Sequence, residues 1–256
     1  MSVQSGDLYE YGPLFFDYIE QGARRSARAI IPHVQRALGC ESVLDVGCGA
    51  GAWLAEYREA GVEDITGVDG DYVDRNRLLV RPERFRAVDV SQPFDLGRRF
   101  ELVQSLEVAE HLPPPSSRAF VRNLVMHGDR ILFSAAVPGQ GGENHINEQS
   151  LEFWRGLFAE QGYVPFDFIR PLVAGAAGVE PWYAYNSILY VRQASIAALP
   201  EPVRKTRVPE QQRIPTVASV GYRIRYALLK PLPVWLVSRF ALLKHWLVVA
   251  RQGHTS

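Results

Sequence analysis

The sequence predicts an α/β protein, a largely parallel sheet with helices on both faces, followed by a helical C-terminal extension. Three observations carry that expectation. Short apolar, β-branched segments alternate with helix-length segments across residues 39–195. The first strand runs straight into a glycine-rich turn that opens a helix. And 256 residues with 47% apolar content suffice to bury a full core as one main domain.

Residues 1–38 form an N-terminal unit that packs on the domain or lids it. Within it, 14–38 reads as helical, with Pro32 marking a break between two helices. Tyr9, Tyr11, Phe15, Phe16 and Tyr18 crowd this unit, and an amphipathic helix packed on the sheet accounts for them better than a lid. Strands follow at 42–46, 65–68, 85–88, 102–105 and 130–135. Helices fall at 52–60, where Gly61 ends the run, at 116–127, and at 150–161 between a Ser150 cap and a Gly162 stop. Aromatic and β-branched residues make 163–169 and 185–191 the last two strands. Pro181, Trp182 and Tyr183 read as a loop whose rings could stack on a sugar or an arene. Residues 196–216 read as a polar, proline-containing linker, and 217–256 as a basic, apolar helical tail interrupted by Pro231 and Pro233.

Charge is balanced overall but not in distribution. Residues 201–256 hold ten Lys or Arg against two acids, so an acidic body carries a basic tail. Such a tail suits a homodimer contact or peripheral attachment to an anionic membrane surface. Its longest apolar run is broken by Arg239 and Lys244 and falls short of the ~20 residues a membrane span needs. With no basic and apolar leader at the start, and only Cys40 and Cys48, the expectation is a cytoplasmic protein, peripheral at most to the inner membrane surface. An acidic body without a recognisable RNA-binding module argues against a nucleic-acid partner.

The turn reads Asp45-Val-Gly47-Cys48-Gly49-Ala-Gly51. Glycines there let the backbone come close to a ligand and adopt angles other residues resist. A dinucleotide-binding turn would look broadly similar, but an acid two residues before the first glycine and the D-x-G-x-G-x-G spacing differ from G-x-G-x-x-G. On these residues the sequence resembles class I S-adenosylmethionine-dependent methyltransferases, over residues 38–191. The resemblance implies a Rossmann-like seven-stranded methyltransferase sheet. It also implies that Asp45 and the turn glycines hold the methionine part of S-adenosylmethionine, that Asp69 takes the ribose hydroxyls and that Asp89 meets the adenine amino group. Gly70, Val90 and Ser105 complete the expected cofactor-binding set. Ionised carboxylates suit hydroxyl and amine donors.

The fourth strand leads into Glu107-Val-Ala-Glu110-His111, and His145 follows the fifth in a glycine-rich loop. The i, i+3, i+4 spacing predicts Glu107, Glu110 and His111 on one face of a helical turn. Two carboxylates and two imidazoles at one sheet edge suit a divalent cation, Mg²⁺ or another. The E-x-x-E-H pattern with a downstream His resembles plant small-RNA 2′-O-methyltransferases and ubiquinone-pathway O-methyltransferases. In the former these four positions hold Mg²⁺, which implies Glu107, Glu110, His111 and His145 as metal ligands here. Without a metal, His111 or His145 could act as general base, and Glu107 joins them in the catalytic set. The expected reaction is O-methylation of a small acceptor, a vicinal diol such as a sugar in a glycoconjugate or natural product. A catechol or quinone precursor is the alternative. RNA 2′-O-methylation, nicotinamide-dependent oxidoreduction and noncatalytic binding rank below these.

Overall fold

The computed structural model describes residues 13–229 and Leu232, with side chains from residue 20 onward. Tyr9, Tyr11 and the tail helix expected at 234–251 lie outside the described residues, as do the side chains of Phe15, Phe16 and Tyr18. Among the described residues no helix is long and apolar enough to cross a membrane.

The chain runs α1 (Pro13–Leu38), β1 (Ser42–Val46), α2 (Ala52–Glu59), β2 (Asp64–Asp69), β3 (Phe85–Ala87), β4 (Leu102–Leu106), α3 (Ser117–His127) and β5 (Arg130–Ser134). It continues with α4 (Leu151–Glu160), β6 (Tyr163–Phe166), α5 (Arg170–Val173), α6 (Pro181–Asn186), β7 (Ile188–Arg192), α7 (Glu201–Arg204) and α8 (Val220–Leu229). The seven strands form one sheet in the order β3-β2-β1-β4-β5-β7-β6. The first five strands pair in parallel, and β7 runs antiparallel to both β5 and β6. The expected α/β sheet is therefore present, with a mixed edge.

Strand side chains alternate between two cores, as the pleat requires. Val43, Leu102 and Leu132 face the buried side of α1 and α2, whereas Leu44, Val103 and Ile131 face Phe120 and Leu124 of α3 and Trp154 and Phe158 of α4. Burying each such large side chain contributes about 1.5–3 kcal/mol. An ion cluster ties α1 to α2: Arg24 and Arg28 donate to the two oxygens of buried Glu56 at 2.7 and 2.9 Å.

Several elements differ from expectation. Pro32 does not break α1, which is one helix through Leu38. Pro32 and Arg28, four residues before it, are both exposed, so the carbonyl deprived of its N–H partner faces water. Pro181, Trp182 and Tyr183 are not a loop but the first turn of α6, with Pro181 where a missing N–H is harmless. The 185–191 strand consequently starts later, at Ile188. The segment read as a linker is packed, not free. Leu199, Val203, Val208 and Ile214 are buried, Val208 N–H donates to Pro165 O at 3.0 Å, and buried Arg170 reaches Pro215 O at 2.9 Å.

Candidate active site

The parallel register brings the C-terminal ends of β1, β2 and β3 to one edge, with Val46 beside Val68 and Asp69 beside Ala87. Ligands of open α/β sheets bind at such edges. Gly47, Gly49 and Gly51 take φ of 81°, 53° and 87°. A Cβ at Gly47 would also fall 2.4 Å from a Val108 methyl, so this position excludes larger residues twice over. The turn is pinned from below, because Gly47 N–H donates to Val68 O at 2.8 Å.

Asp45 is buried inside β1, in register with Gln104 of β4. Burial pushes its carboxyl up to about 7; the Gln104 amide pulls the other way and Asp69 adds to the rise. Both amide atoms of Gln104 lack a hydrogen-bond partner. A buried acid whose pKa is raised by desolvation regains its charge most readily beside a ligand that brings its own positive charge. Asp69 accepts from Gly49 N–H at 2.7 Å, from Gly70 N–H at 2.7 Å and from the Tyr72 hydroxyl at 2.5 Å. Asp89 is exposed beyond β3, and its Oδ1 accepts from the Ser91 N–H and hydroxyl at 3.0 and 2.6 Å. Cys48 and Val90 are buried hydrophobic contacts, and the Ser105 hydroxyl donates to Val46 O at 2.8 Å, tying β4 to the end of β1.

The second cluster is built differently from its expected helical turn. Glu107 ends β4 in a left-handed conformation, φ 57°, and only Ala109–His111 forms a tight 3-10 turn. Glu107 therefore does not share a helix face with Glu110 and His111. Its Oε2 accepts from Gln140 Nε2 at 2.7 Å, while its Oε1 is buried and unpartnered. Glu110 is fully buried with neither carboxylate oxygen hydrogen-bonded. Burial, and next the charge of Glu107, push its carboxyl well up.

Ligand atoms of Glu110, His111 and His145 lie within 4.8 Å of one another, and the two imidazole rings meet edge to face at 5.0 Å. Although His111 as a residue keeps an exposed surface, desolvation of its ring, then the charge of His145, lowers its pKa to about 4. His145 Nδ1 lies 2.9 Å from Glu148 Oε1, so its Nε2 is the nitrogen that Glu148 leaves uncommitted. Gly142 permits this approach, since a Cβ there would fall 2.1 Å from His145 Nε2. Two orphaned, buried carboxylate oxygens beside two imidazoles are costly as they stand, and they fit a divalent cation.

A family model described as a methyltransferase domain matches residues 18–166, more than half of the chain. The chain belongs to this methyltransferase family. The seven-stranded α/β sheet is the class I, S-adenosylmethionine-dependent fold expected from Asp45, Asp69 and Asp89. Among curated relatives, the ubiquinone biosynthesis O-methyltransferase of Alkalilimnicola ehrlichii is 31% identical over 137 residues, 50% of this chain and 49% of that protein. The enzyme of the same name from Nitrosospira multiformis is 30% identical over 121 residues, 43% of each chain. The matches thus span about half the length of these relatives or less. Among solved structures, the sugar N-methyltransferase KedS8 from Streptoalloteichus sp ATCC 53650 superposes with a TM-score of 0.52 at 19% identity, over 75% of this chain and 98% of that one. Streptomyces venezuelae DesVI gives 0.50 at 14%, over 72% and 99%. These two likenesses concern the fold alone.

Sequence reasoning missed Glu148, Gln140 and Tyr72. Glu148 lies three residues after His145, a spacing that would have flagged it; Gln140 and Tyr72 carried no such signal.

Proposed function

We propose that this methyltransferase transfers the methyl group of S-adenosylmethionine to a hydroxyl of a small vicinal diol, with Glu110, His111 and His145 holding a divalent cation of the Mg²⁺ class. The observation that carries the reading is Glu110, fully buried with two unpartnered carboxylate oxygens beside two imidazoles. A hydroxylated aromatic ring is preferred to a sugar as acceptor. Curated relatives at about 30% identity bear the name ubiquinone biosynthesis O-methyltransferase, whereas the sugar methyltransferase likeness rests on fold.

The division of labour follows from the residues. The glycine turn and Asp45 receive the methionine end of the donor, Asp69 the ribose and Asp89 the adenine. A sulfonium is already a reactive methyl donor, so the protein's task is to align the acceptor and take up its proton. Glu148 fixes the His145 ring, and Gln140 fixes Glu107, whose free Oε1 is available to a donor group of the acceptor. A cation bound at Glu110, His111 and His145 would lower the pKa of an adjacent hydroxyl.

Calorimetry with S-adenosylmethionine and with NAD tests the donor; binding of NAD alone overturns the reading. Transfer of labelled methyl to a catechol, lost on EDTA treatment and restored by Mg²⁺, tests the rest. Transfer indifferent to both EDTA and His145→Ala removes the cation.

A further inference from the structure

Gln140 is a junction between the acidic cluster and the C-terminal helix. Its Nε2 donates to Glu107, and its Oε1 accepts from Asn186 Nδ2 at 2.8 Å and from the Tyr226 hydroxyl at 3.4 Å. Its backbone carbonyl accepts from Arg225 Nη2 at 3.1 Å. Helix α8 is therefore fastened to the residue that positions Glu107, although some eighty residues separate them in sequence.

The two faces of α8 are unlike. Val220, Ile224 and Leu228 are exposed on one side. On the other, Tyr222 meets Tyr185 edge to face at 5.1 Å and Tyr226 at 4.7 Å, and all three rings are only half-buried. The Arg225 guanidinium lies 5.6 Å from the centre of the Tyr222 ring. Among the described residues no carboxylate pairs with Arg225, and its one protein hydrogen bond goes to a carbonyl. A half-buried arginine with most of its donors unspent, beside half-open tyrosine rings, has the chemistry to receive a flat, anionic group. The guanidinium fork matches a carboxylate, and tyrosine faces match a ring.

We propose that α8 is the acceptor-recognition wall of this enzyme, and that it selects a hydroxylated aromatic ring bearing an anionic substituent. Arg225 receives the substituent, the touching rings of Tyr222 and Tyr226 line one side of the acceptor ring, and the hydroxyls are turned toward Glu107. This rests on the O-methyltransferase reading above, because that reading makes the Glu107 end the reacting end.

The test is equilibrium binding to the full chain of two probes that differ in charge, 3,4-dihydroxybenzoate and 3,4-dihydroxybenzamide. Calorimetry is run with and without S-adenosylhomocysteine. The benzoate is expected to bind about tenfold tighter or more, as one charged hydrogen-bond pair provides. Arg225→Gln should erase that preference and Arg225→Lys retain part of it, both with unchanged S-adenosylhomocysteine affinity. Tyr222→Leu should weaken both probes alike. Equal affinities, no binding of either probe, or a preference surviving in Arg225→Gln overturns the proposal. Failure of S-adenosylhomocysteine to bind instead counts against the donor reading, and the titrations without it still judge the wall.

Discussion

His145 Nδ1 lies 2.9 Å from Glu148 Oε1, and that carboxylate also accepts N–H bonds from Gly139 and Gly141. The pair aims the imidazole and fixes the glycine loop in one stroke. Carboxylates behind a ligating histidine set its tautomer and orientation. Glu148→Gln is therefore expected to lower Mg²⁺ affinity about 10–100-fold while donor affinity holds. Magnesium titrations in the calorimeter measure it; an unchanged affinity would mean that His145 needs no such support.

Asp45 links ionisation to donor binding. Its carboxyl is raised to about 7 by burial, so the donor-free protein favours the protonated form below that pH. A raised acid lends stability that is complete below the unfolded pKa, about 3.9, and is lost as pH rises through the folded value. Without donor, the stability difference between Asp45→Asn and wild type should thus widen in favour of the variant from pH 4 to 7. Binding a cationic donor at pH 6 should release a proton, seen as a dependence of the binding heat on buffer ionisation enthalpy. A heat independent of buffer would show that Asp45 keeps its proton.

What could be read beforehand was local or set by strand register. The turn at Asp45 is a contiguous pattern, and Asp69 and Asp89 fall at the same edge because β1, β2 and β3 are parallel. The Glu107 geometry was not legible, since a left-handed residue at a strand end interrupts the helical spacing that the letters suggest. Nor was the packing of residues 196–216, which depends on Arg170 and β6 rather than on its own polar composition. Gln140 lies in a glycine-rich loop and carries no pattern of its own. Its role comes from Glu107, Asn186 and Arg225, distant partners that no local pattern announces.

Arg170 is the bolt of that packed segment. Fully buried, it donates twice to Asp167, at 2.8 and 2.7 Å, and to the carbonyls of Tyr185 and Pro215. Removing it leaves the buried Asp167 carboxylate unpaired and takes a donor from the carbonyls of half-buried Tyr185 and exposed Pro215. Arg170→Ala should cost about 3–5 kcal/mol of stability. Denaturant unfolding measures the loss, and limited proteolysis should then cut first between residues 205 and 219. A variant losing under 1 kcal/mol would mean that water satisfies these groups and the segment is held by apolar contacts alone.

Tyr72 holds the acid that is proposed to take the donor's ribose. As a residue it is 84% exposed, yet its hydroxyl sits 2.5 Å from Asp69 Oδ1, the acid assigned to the ribose hydroxyls. Gly70 N–H and the Tyr72 hydroxyl share Oδ1 while Oδ2 takes only Gly49 N–H, so a ribose hydroxyl that bonds Oδ1 would compete with Tyr72. Tyr72→Phe removes the rival hydroxyl and leaves the ring. Losing one hydrogen bond to a charged group, about 1.5–3 kcal/mol at most, should tighten S-adenosylmethionine severalfold. Tighter binding with a faster association rate would identify Tyr72 as a gate on the ribose site. Weaker binding would instead make its hydroxyl a partner of the donor.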